Sequence, residues 1–233
     1  MQSLWIGPRL GMIERLTIES YLQNGHRFVL FTYEDVESIP RGAEQADATQ
    51  ILPASRIFRY RGNGSLAGFS NFFRYKMLLE KGGWWVDLDT VCLKPFDMAG
   101  DYVFSSEIAN GREVIDCAAI KAPANSPFAQ LAWEVCDAKD PEQIGWGETG
   151  PRLTATAIEK CRLFAYVLPP SAFCPVPWDA WETVLDPAGL TVPGESYAIH
   201  LWNEMWRRAG RDKDAAYPST CFFERLKSRY LGS

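Results

Sequence analysis

The sequence predicts an α/β domain in which helices flank a mixed sheet. Three observations carry that reading. A strand, a helix and a second strand follow one another within the first 33 residues. A helix that stops at a glycine pair runs straight into a short apolar strand inside residues 70–97. The 233 residues are 47% hydrophobic and 13% aromatic, ample for one packed core and too apolar for a disordered chain.

Residues 3–7, SLWIG, read as a first strand entering a glycine turn. Residues 14–23 have helical spacing, with Ile13, Leu16, Ile18, Tyr21 and Leu22 toward one side, and Asn24-Gly25 ends them. Residues 27–33, RFVLFTY, form a second strand rich in aromatic and β-branched types. A unit of this length is parallel and right-handed. Such sheets take ligands beyond the carboxyl ends of their strands. The expected crevice therefore includes Trp5, Ile6, Gly7 and Tyr33, joined by Asp87 and Asp89 if their strand is a neighbour.

Residues 61–68, RGNGSLAG, read as a flexible connection, since they match no phosphate-binding glycine motif. Ser70 is the expected N-cap of the next helix, which carries Phe72, Phe73, Tyr75, Met77, Leu78 and Leu79 and ends at Gly82-Gly83. Trp84-Trp85-Val86 is too short and too aromatic for another helix and reads as a buried strand. Continuing that strand puts Asp87 and Asp89 on one face and turns Leu88 into the core. Two carboxylates so close repel each other, and both ionise at low cost only with a cation between them. Hard oxygen ligands on one face suit Mg²⁺ or Mn²⁺, which keep positions open for substrate phosphates. Arg74, one turn into the helix, is placed to face a phosphate. The plainer alternative is a solvated strand end and a surface arginine.

Further on, residues 102–105 and 114–121 suggest two strands, and 127–138 a helix with Phe128, Leu131, Ala132 and Val135 on one side. Residues 145–154, GWGETGPRLT, lead into a helix through Lys160. Residues 169–193 hold six of the fifteen prolines and read as loop with short strands. His200, one of two histidines, lies between Ile199 and Leu201 at the expected end of a strand; a lone histidine there is most simply structural. The tail, 207–233, mixes Arg207, Arg208, Arg211, Arg225, Lys227 and Arg229 with Phe222, Phe223, Leu226, Tyr230 and Leu231. It reads as a helix packed by its apolar side on the domain, or as a peripheral contact with an anionic membrane.

Residues 70–97 resemble the sugar-transferase region containing the DXD motif, found in glycosyltransferase family 32 and, more remotely, in the large clostridial glucosylating toxins. That pattern runs S-D-x-x-R-Y-x-x-L-x-x-x-G-G-x-Y-x-D-x-D-x-x-x-L-x-P. It is met here by Ser70, Arg74, Tyr75, Leu78, Gly82, Gly83, Asp87, Asp89, Leu93 and Pro95, with Asn71 in place of the aspartate and Trp85 in place of the tyrosine. The resemblance implies a GT-A-like, Rossmann-like single domain: a nucleotide-binding half over 1–95, a donor-sugar and acceptor half over 96–206, and the tail. It implies retaining transfer of a hexosyl group from a nucleotide-sugar, UDP-hexose favoured, to a hydroxyl of a glycan or glycolipid, as in polysaccharide biosynthesis. Under it Asp87 and Asp89 hold Mn²⁺ or Mg²⁺, with His200 of the H-x-W-N stretch as third ligand. Trp5, Ile6, Gly7 and Tyr33 enclose the base, and Ser70, Asn71 and Arg74 meet the donor. Trp202 and Asn203 complete the late motif. Gly150-Pro151, with Thr154, closes the donor pocket, and Glu148 is the acid nearest the reacting sugar.

Composition narrows the partners. Net charge is −5, with no basic excess, so nucleic acid is not an expected partner. No stretch approaches the roughly 18 apolar residues of a membrane span, and the first residues lack a basic leader. The six cysteines have no metal-like spacing and read as reduced thiols. Together these give a cytoplasmic expectation. Two other functions compete. WWVDLDTV also fits the D-x-D-x-T signature of haloacid-dehalogenase-like phosphatases, with Asp87 as nucleophile, Asp89 as acid and base, and Lys121 as the later lysine. That signature belongs on a first strand and needs a downstream acidic pair, and this chain offers neither. A non-catalytic sugar-binding module using the nine tryptophans would leave the paired aspartates without a role.

Overall fold

The computed structural model describes residues 1–232; Ser233, the last residue of the expected tail, lies outside the described residues. In chain order the elements are β1 (Gln2–Trp5), α1 (Met12–Gln23), β2 (Val29–Thr32), β3 (Glu44–Asp47), α2 (Ala67–Lys81), β4 (Gly83–Val86), β5 (Thr90–Cys92), β6 (Val103–Ala109) and β7 (Arg112–Ala122). There follow α3 (Pro127–Asp137), α4 (Pro151–Cys161), α5 (Pro170–Phe173), β8 (Ala198–His200), α6 (Asn203–Arg208) and α7 (Phe222–Leu231). Six strands form one sheet in the order β3-β2-β1-β4-β7-β6, and β5 pairs with β8 in a separate ribbon. β3, β2, β1 and β4 run parallel, whereas β7 lies antiparallel to both β4 and β6. The expected mixed sheet is present.

Strand alternation explains why helices cover both faces. Leu4, Phe31, Trp85 and Ile120 point to one side and pack with Phe72, Phe73 and Leu78 of α2, Phe128 of α3 and Ile158 of α4. Leu30, Val86 and Ala119 point to the other, against Ile18 and Tyr21 of α1 and Phe173 of α5. A sheet buried on both faces must be apolar along every central strand, and GWWV meets that demand. Ile13 and Leu16 of α1 meet Phe223, Leu226 and Tyr230 of α7 in a third cluster. The tail therefore uses its apolar side inside the domain. Among the described residues, no helix is long and apolar enough to cross a membrane.

Four local expectations are corrected. Helix α2 begins three residues before Ser70, whose N–H already donates to the Leu66 carbonyl. The N-cap is Leu66, without a side-chain cap, and Ser65 Oγ accepts from Ala67 N at 3.2 Å in the turn just ahead of it. Only the last two residues of the glycine-rich stretch, Ala67 and Gly68, are helical; a Cβ on Gly68 would press on the Phe58 and Tyr60 rings. Residues 169–193 contain no strand; Pro170 opens α5 at the first helical position, where its fixed φ fits, and Pro177 is the N-cap of the 3₁₀ turn Trp178–Leu185. Asp87 and Asp89 lie beyond the end of β4, in a turn closed by Thr90 N on the Asp87 carbonyl at 3.0 Å.

Gly82 caps α2 at φ 64°, ψ −165°, a region that only glycine occupies freely. A Cβ there would overlap the backbone nitrogen of Ala124. Gly82→Ala is expected to destabilise the fold by at least roughly 1–3 kcal/mol. Urea unfolding would measure this, and an unchanged midpoint would refute the fit described.

Candidate active site

Strand order reverses between β1 and β4, and in open α/β sheets that crevice is where ligands bind. Trp5 ends β1 there, and the 87–90 turn leaves β4 beside it. A cleft of about 1030 Å³ opens at this point, lined by Trp5, Ile6, Ser70, Asn71, Arg74, Asp87, Asp89, Pro151, His200, Trp202 and Asn203, among others.

The turn is held from two sides. Asp87 N donates to the Ala118 carbonyl of β7 at 2.8 Å. Asp87 Oδ1 accepts from Arg74 at 2.8 Å and from Trp85 Nε1 at 2.7 Å. On the other side, β5 pairs antiparallel with β8 so that Thr90 faces His200. Leu201 N then donates to the Asp89 carbonyl at 2.7 Å, and Asn203 N to Asp89 Oδ2 at 2.8 Å. His200 Nε2 stands 3.3 Å from Asp89 Oδ1. As a result the ligand atoms of Asp87, Asp89 and His200 all lie within 4.8 Å of one another. The two aspartates do converge, through a turn in place of strand alternation.

Arg74 is fully buried and its guanidinium lies 5.0 Å from the Trp85 ring centre. It donates to Asn71 Oδ1 at 2.7 Å, while Asn71 Nδ2 donates to Thr149 Oγ1 at 3.3 Å. Asn71 therefore uses its amide as acceptor and donor together, which an ionised aspartate there could not do. A buried chain Thr149–Asn71–Arg74–Asp87 results. Arg74 thus supports a carboxylate directly and lines the cleft as well.

The late motif fixes the histidine. Trp202 adopts left-handed backbone, φ 55° and ψ 54°, and lays its ring over the imidazole with centres 3.8 Å apart. Its Nε1 donates to the Val176 carbonyl at 2.8 Å. The other imidazole nitrogen, Nδ1, is 4.0 Å from Asp116 Oδ2 and 3.9 Å from Cys174 Sγ. Asn203 Nδ2 donates to Glu14, a wholly buried acid that also pairs with Lys213.

Other expected site residues lie elsewhere. Tyr33 points into the core, its hydroxyl bonded to the Leu52 carbonyl at 2.8 Å and its ring against Phe69. Glu148 pairs with Lys139 at 2.6 Å and accepts from Gly145 N, outside the cleft lining. Gly7 forms the turn that backs the Trp5 indole, and Gly150 packs on the Asn71 amide; both sit behind the wall. The cleft instead contains groups that the sequence reading had not placed there. Glu107 and Asp116 come from the β6–β7 hairpin, Trp178 from a proline-led turn, and Arg207, Arg208, Arg211 and Lys213 from the tail. A basic cluster in the tail was visible in the sequence, with its apolar neighbours suggesting a membrane. Nothing marked Glu107.

Burial pushes the Asp87 carboxyl above its ordinary range, against the pull of Arg74, and the Asp89 charge adds to the rise. Burial would raise Asp89 too, but His200 and the Asn203 N–H outweigh it and hold Asp89 below the ordinary value. Burial would lower His200, yet the Asp89 charge and hydrogen bond lift it to about 9. Two carboxylates and an imidazole facing one cleft form a donor set that fits a divalent cation such as Mn²⁺ or Mg²⁺. Lys121 donates to the Gly100 carbonyl at 2.7 Å, and Asp87 follows the fourth strand of the main sheet. The phosphatase arrangement is therefore not favoured.

Comparison with known proteins agrees with this geometry. Residues 11–105 match the family model described as glycosyltransferase sugar-binding region containing DXD motif. Residues 142–230 match that described as alpha 1,4-glycosyltransferase conserved region. The lactosylceramide 4-alpha-galactosyltransferase of Mus musculus is 31% identical over 101 residues, covering 36% of this chain and 27% of the relative's length. This chain therefore aligns with about a quarter of that enzyme. Among solved structures, the PaToxG glycosyltransferase superposes with a TM-score of 0.50 at 16% identity, covering 68% of each chain, a likeness of fold alone.

In the metal-free protein His200 titrates near 9 when folded and near 6.5 when unfolded. Its contribution, on the order of 3 kcal/mol, is complete below pH 6.5 and is lost as pH rises through about 9. Melting in EDTA should show a Tm that falls across this window, and His200→Gln should flatten the fall. An equal slope in both proteins would contradict the pairing. The chain thus has a GT-A-like fold, and two stretches of it, residues 11–105 and 142–230, are similar to glycosyltransferase sequences.

Proposed function

We propose that this protein is a metal-dependent glycosyltransferase that moves a hexosyl group from a nucleotide-sugar to a hydroxyl of a glycan or glycolipid. The observation that carries the reading is the meeting of Asp87, Asp89 and His200 at one end of a cleft large enough for such a donor. Galactose is the favoured sugar, because the mouse relative is named lactosylceramide 4-alpha-galactosyltransferase, and UDP the favoured nucleotide from the resemblance of residues 70–97. Retention is supported by the word alpha in two of the matched names: a donor whose sugar is α-linked to the diphosphate yields an α product only if configuration is kept.

A divalent ion held by Asp87, Asp89 and His200 would neutralise charge on the departing diphosphate. The chain's own groups prepare that chemistry. Arg74 and Trp85 aim Asp87, while Asn203 N–H and the β5–β8 pairing aim Asp89. Arg207, Arg208, Arg211 and Lys213 supply positive charge to the phosphate end of the cleft, and Trp5 with Ile6 offers an apolar wall for the base. The acceptor oxygen forms its bond to the anomeric carbon as the carbon–phosphate oxygen bond breaks. The leaving phosphate oxygen then takes the acceptor's proton. An acceptor of the glycolipid type is reached at a membrane surface, for which the exposed basic side of α7 is suited.

A thermal-shift screen of UDP- and GDP-sugars with and without Mn²⁺ tests the reading, with stabilisation by one donor expected only when metal is present. Asp89→Asn should lower donor turnover by at least about 100-fold while the circular dichroism spectrum is unchanged. Wild-type turnover in that variant would remove the metal role.

A further inference from the structure

Most acids lining the cleft have a partner. Asp87 is held by Arg74, Asp89 by His200 and Asn203, Glu14 by Lys213 and Asn203, and Glu204 by Arg207 and Arg208. Asp214 accepts from Met12 N, and Asp212 from Asp214 N. Asp116 Oδ2 accepts from Ser105 Oγ at 3.2 Å and Ala118 N at 2.9 Å. Glu107 is only 8% exposed, and among the described residues its buried Oε2 has no hydrogen-bond partner. Glu14 Oε2 is also buried and unmet, but that acid is held through Oε1, whereas Glu107 has no such hold among the described residues.

An unmet buried acceptor costs roughly 1–3 kcal/mol, so a carboxylate left in this state at a cleft wall is suited to a donor brought by a ligand. Glu107 lies two residues along β6 from Ser105, whose Oγ donates to Asp116 Oδ2, so the two acids share one face of the hairpin. Burial first, and the Asp116 charge second, raise the Glu107 pKa to about 7. The hydrogen bonds to Asp116 all fall on Oδ2 and leave Oδ1 to the cleft.

The surroundings select the ligand. A phosphate would be repelled by Glu107, Asp116 and Asp89 together. The nucleoside wall at Trp5 belongs to β1, across the cleft from the hairpin. What fits is a neutral ring rich in O–H donors, set between two carboxylate oxygens and the Trp178 side chain in the same lining. His200 Nδ1 is 4.0 Å from Asp116 Oδ2, so this wall adjoins the sugar carried by a diphosphate held at Asp87 and Asp89. We propose that Glu107, with Asp116 Oδ1, forms the subsite that binds the hydroxyl groups of the transferred hexose. This assignment rests on the glycosyltransferase reading above.

Calorimetric binding of UDP, UDP-galactose and UDP-glucose in Mn²⁺, with the GDP-linked counterparts alongside, tests it on wild type, Glu107→Ala and Glu107→Gln. The wild type should bind one nucleotide-hexose at least about tenfold more tightly than its nucleotide. Glu107→Ala should lose that margin while the affinity for the bare nucleotide stays within about twofold, and Glu107→Gln, still an acceptor, should keep part of it. A margin retained in Glu107→Ala, or absent from the wild type, overturns the subsite. Parallel loss of nucleotide and nucleotide-hexose affinity overturns it also, as the mark of a structural role. A wild type that binds none of these compounds brings down the glycosyltransferase reading, and the subsite with it.

Discussion

The structure turns on the clamping of Asp89 by the segment 200–203. One short ribbon, β5 against β8, brings a residue from late in the chain onto a turn that follows the fourth strand. Asp89 receives a backbone hydrogen bond on its carbonyl, another on its carboxylate, and an imidazole beside it. Without these, two nearly buried carboxylates would repel in a low-dielectric setting where such repulsion is large. With them, the pair is preorganised and still faces the cleft. Preorganised charge of this kind is what an enzyme needs where negative charge develops.

The support around that clamp is distributed unevenly. Arg74 is engaged by Asp87 and Asn71 and backed by the Trp85 ring, so it acts first as a brace for the acidic turn. Trp202 accepts a backbone conformation that costs a non-glycine residue energy, and in return its ring fixes the orientation of His200. Strain and burial are concentrated where geometry matters most. The more adaptable charges, on Arg207, Arg208, Arg211 and Lys213, sit on α6 and the following loop, partnered by acids that a bound anion could replace. A chain of net charge −5 thus presents a locally basic end to its cleft, and local charge decides what binds there.

Much of the fold was readable before any coordinates. The strand–helix–strand opening, the helix ended by Gly82-Gly83, the WWV strand and the helices near 127 and 151 all appear close to their expected bounds, because periodicity, glycine stops and proline starts are local signals. Strand β3, with the sequence EQAD, carried no such signal; it forms at the sheet edge because β2 offers it hydrogen bonds. Ser70 looked like a cap because its type suits one, but the helix starts a turn earlier, with Leu66 at its N-cap and no side-chain cap. Glu148 and Tyr33 were chosen by residue type and nearness in sequence to the expected site, and neither criterion carries direction. One side chain turned to a lysine, the other to a core carbonyl.

The sequence by itself determined an α/β domain, a glycine-stopped helix feeding an acidic turn, and the chemistry that such a turn can support. Those follow from spacing within about 30 residues, where chain connectivity leaves few alternatives. Only the tertiary structure decided that His200 meets Asp89, that the tail's cations border the cleft, and that Glu107 is buried without a partner. Each of these depends on contacts between segments many residues apart, set by how the sheet orders its strands and how the helices fill its faces, and no local pattern encodes that distance.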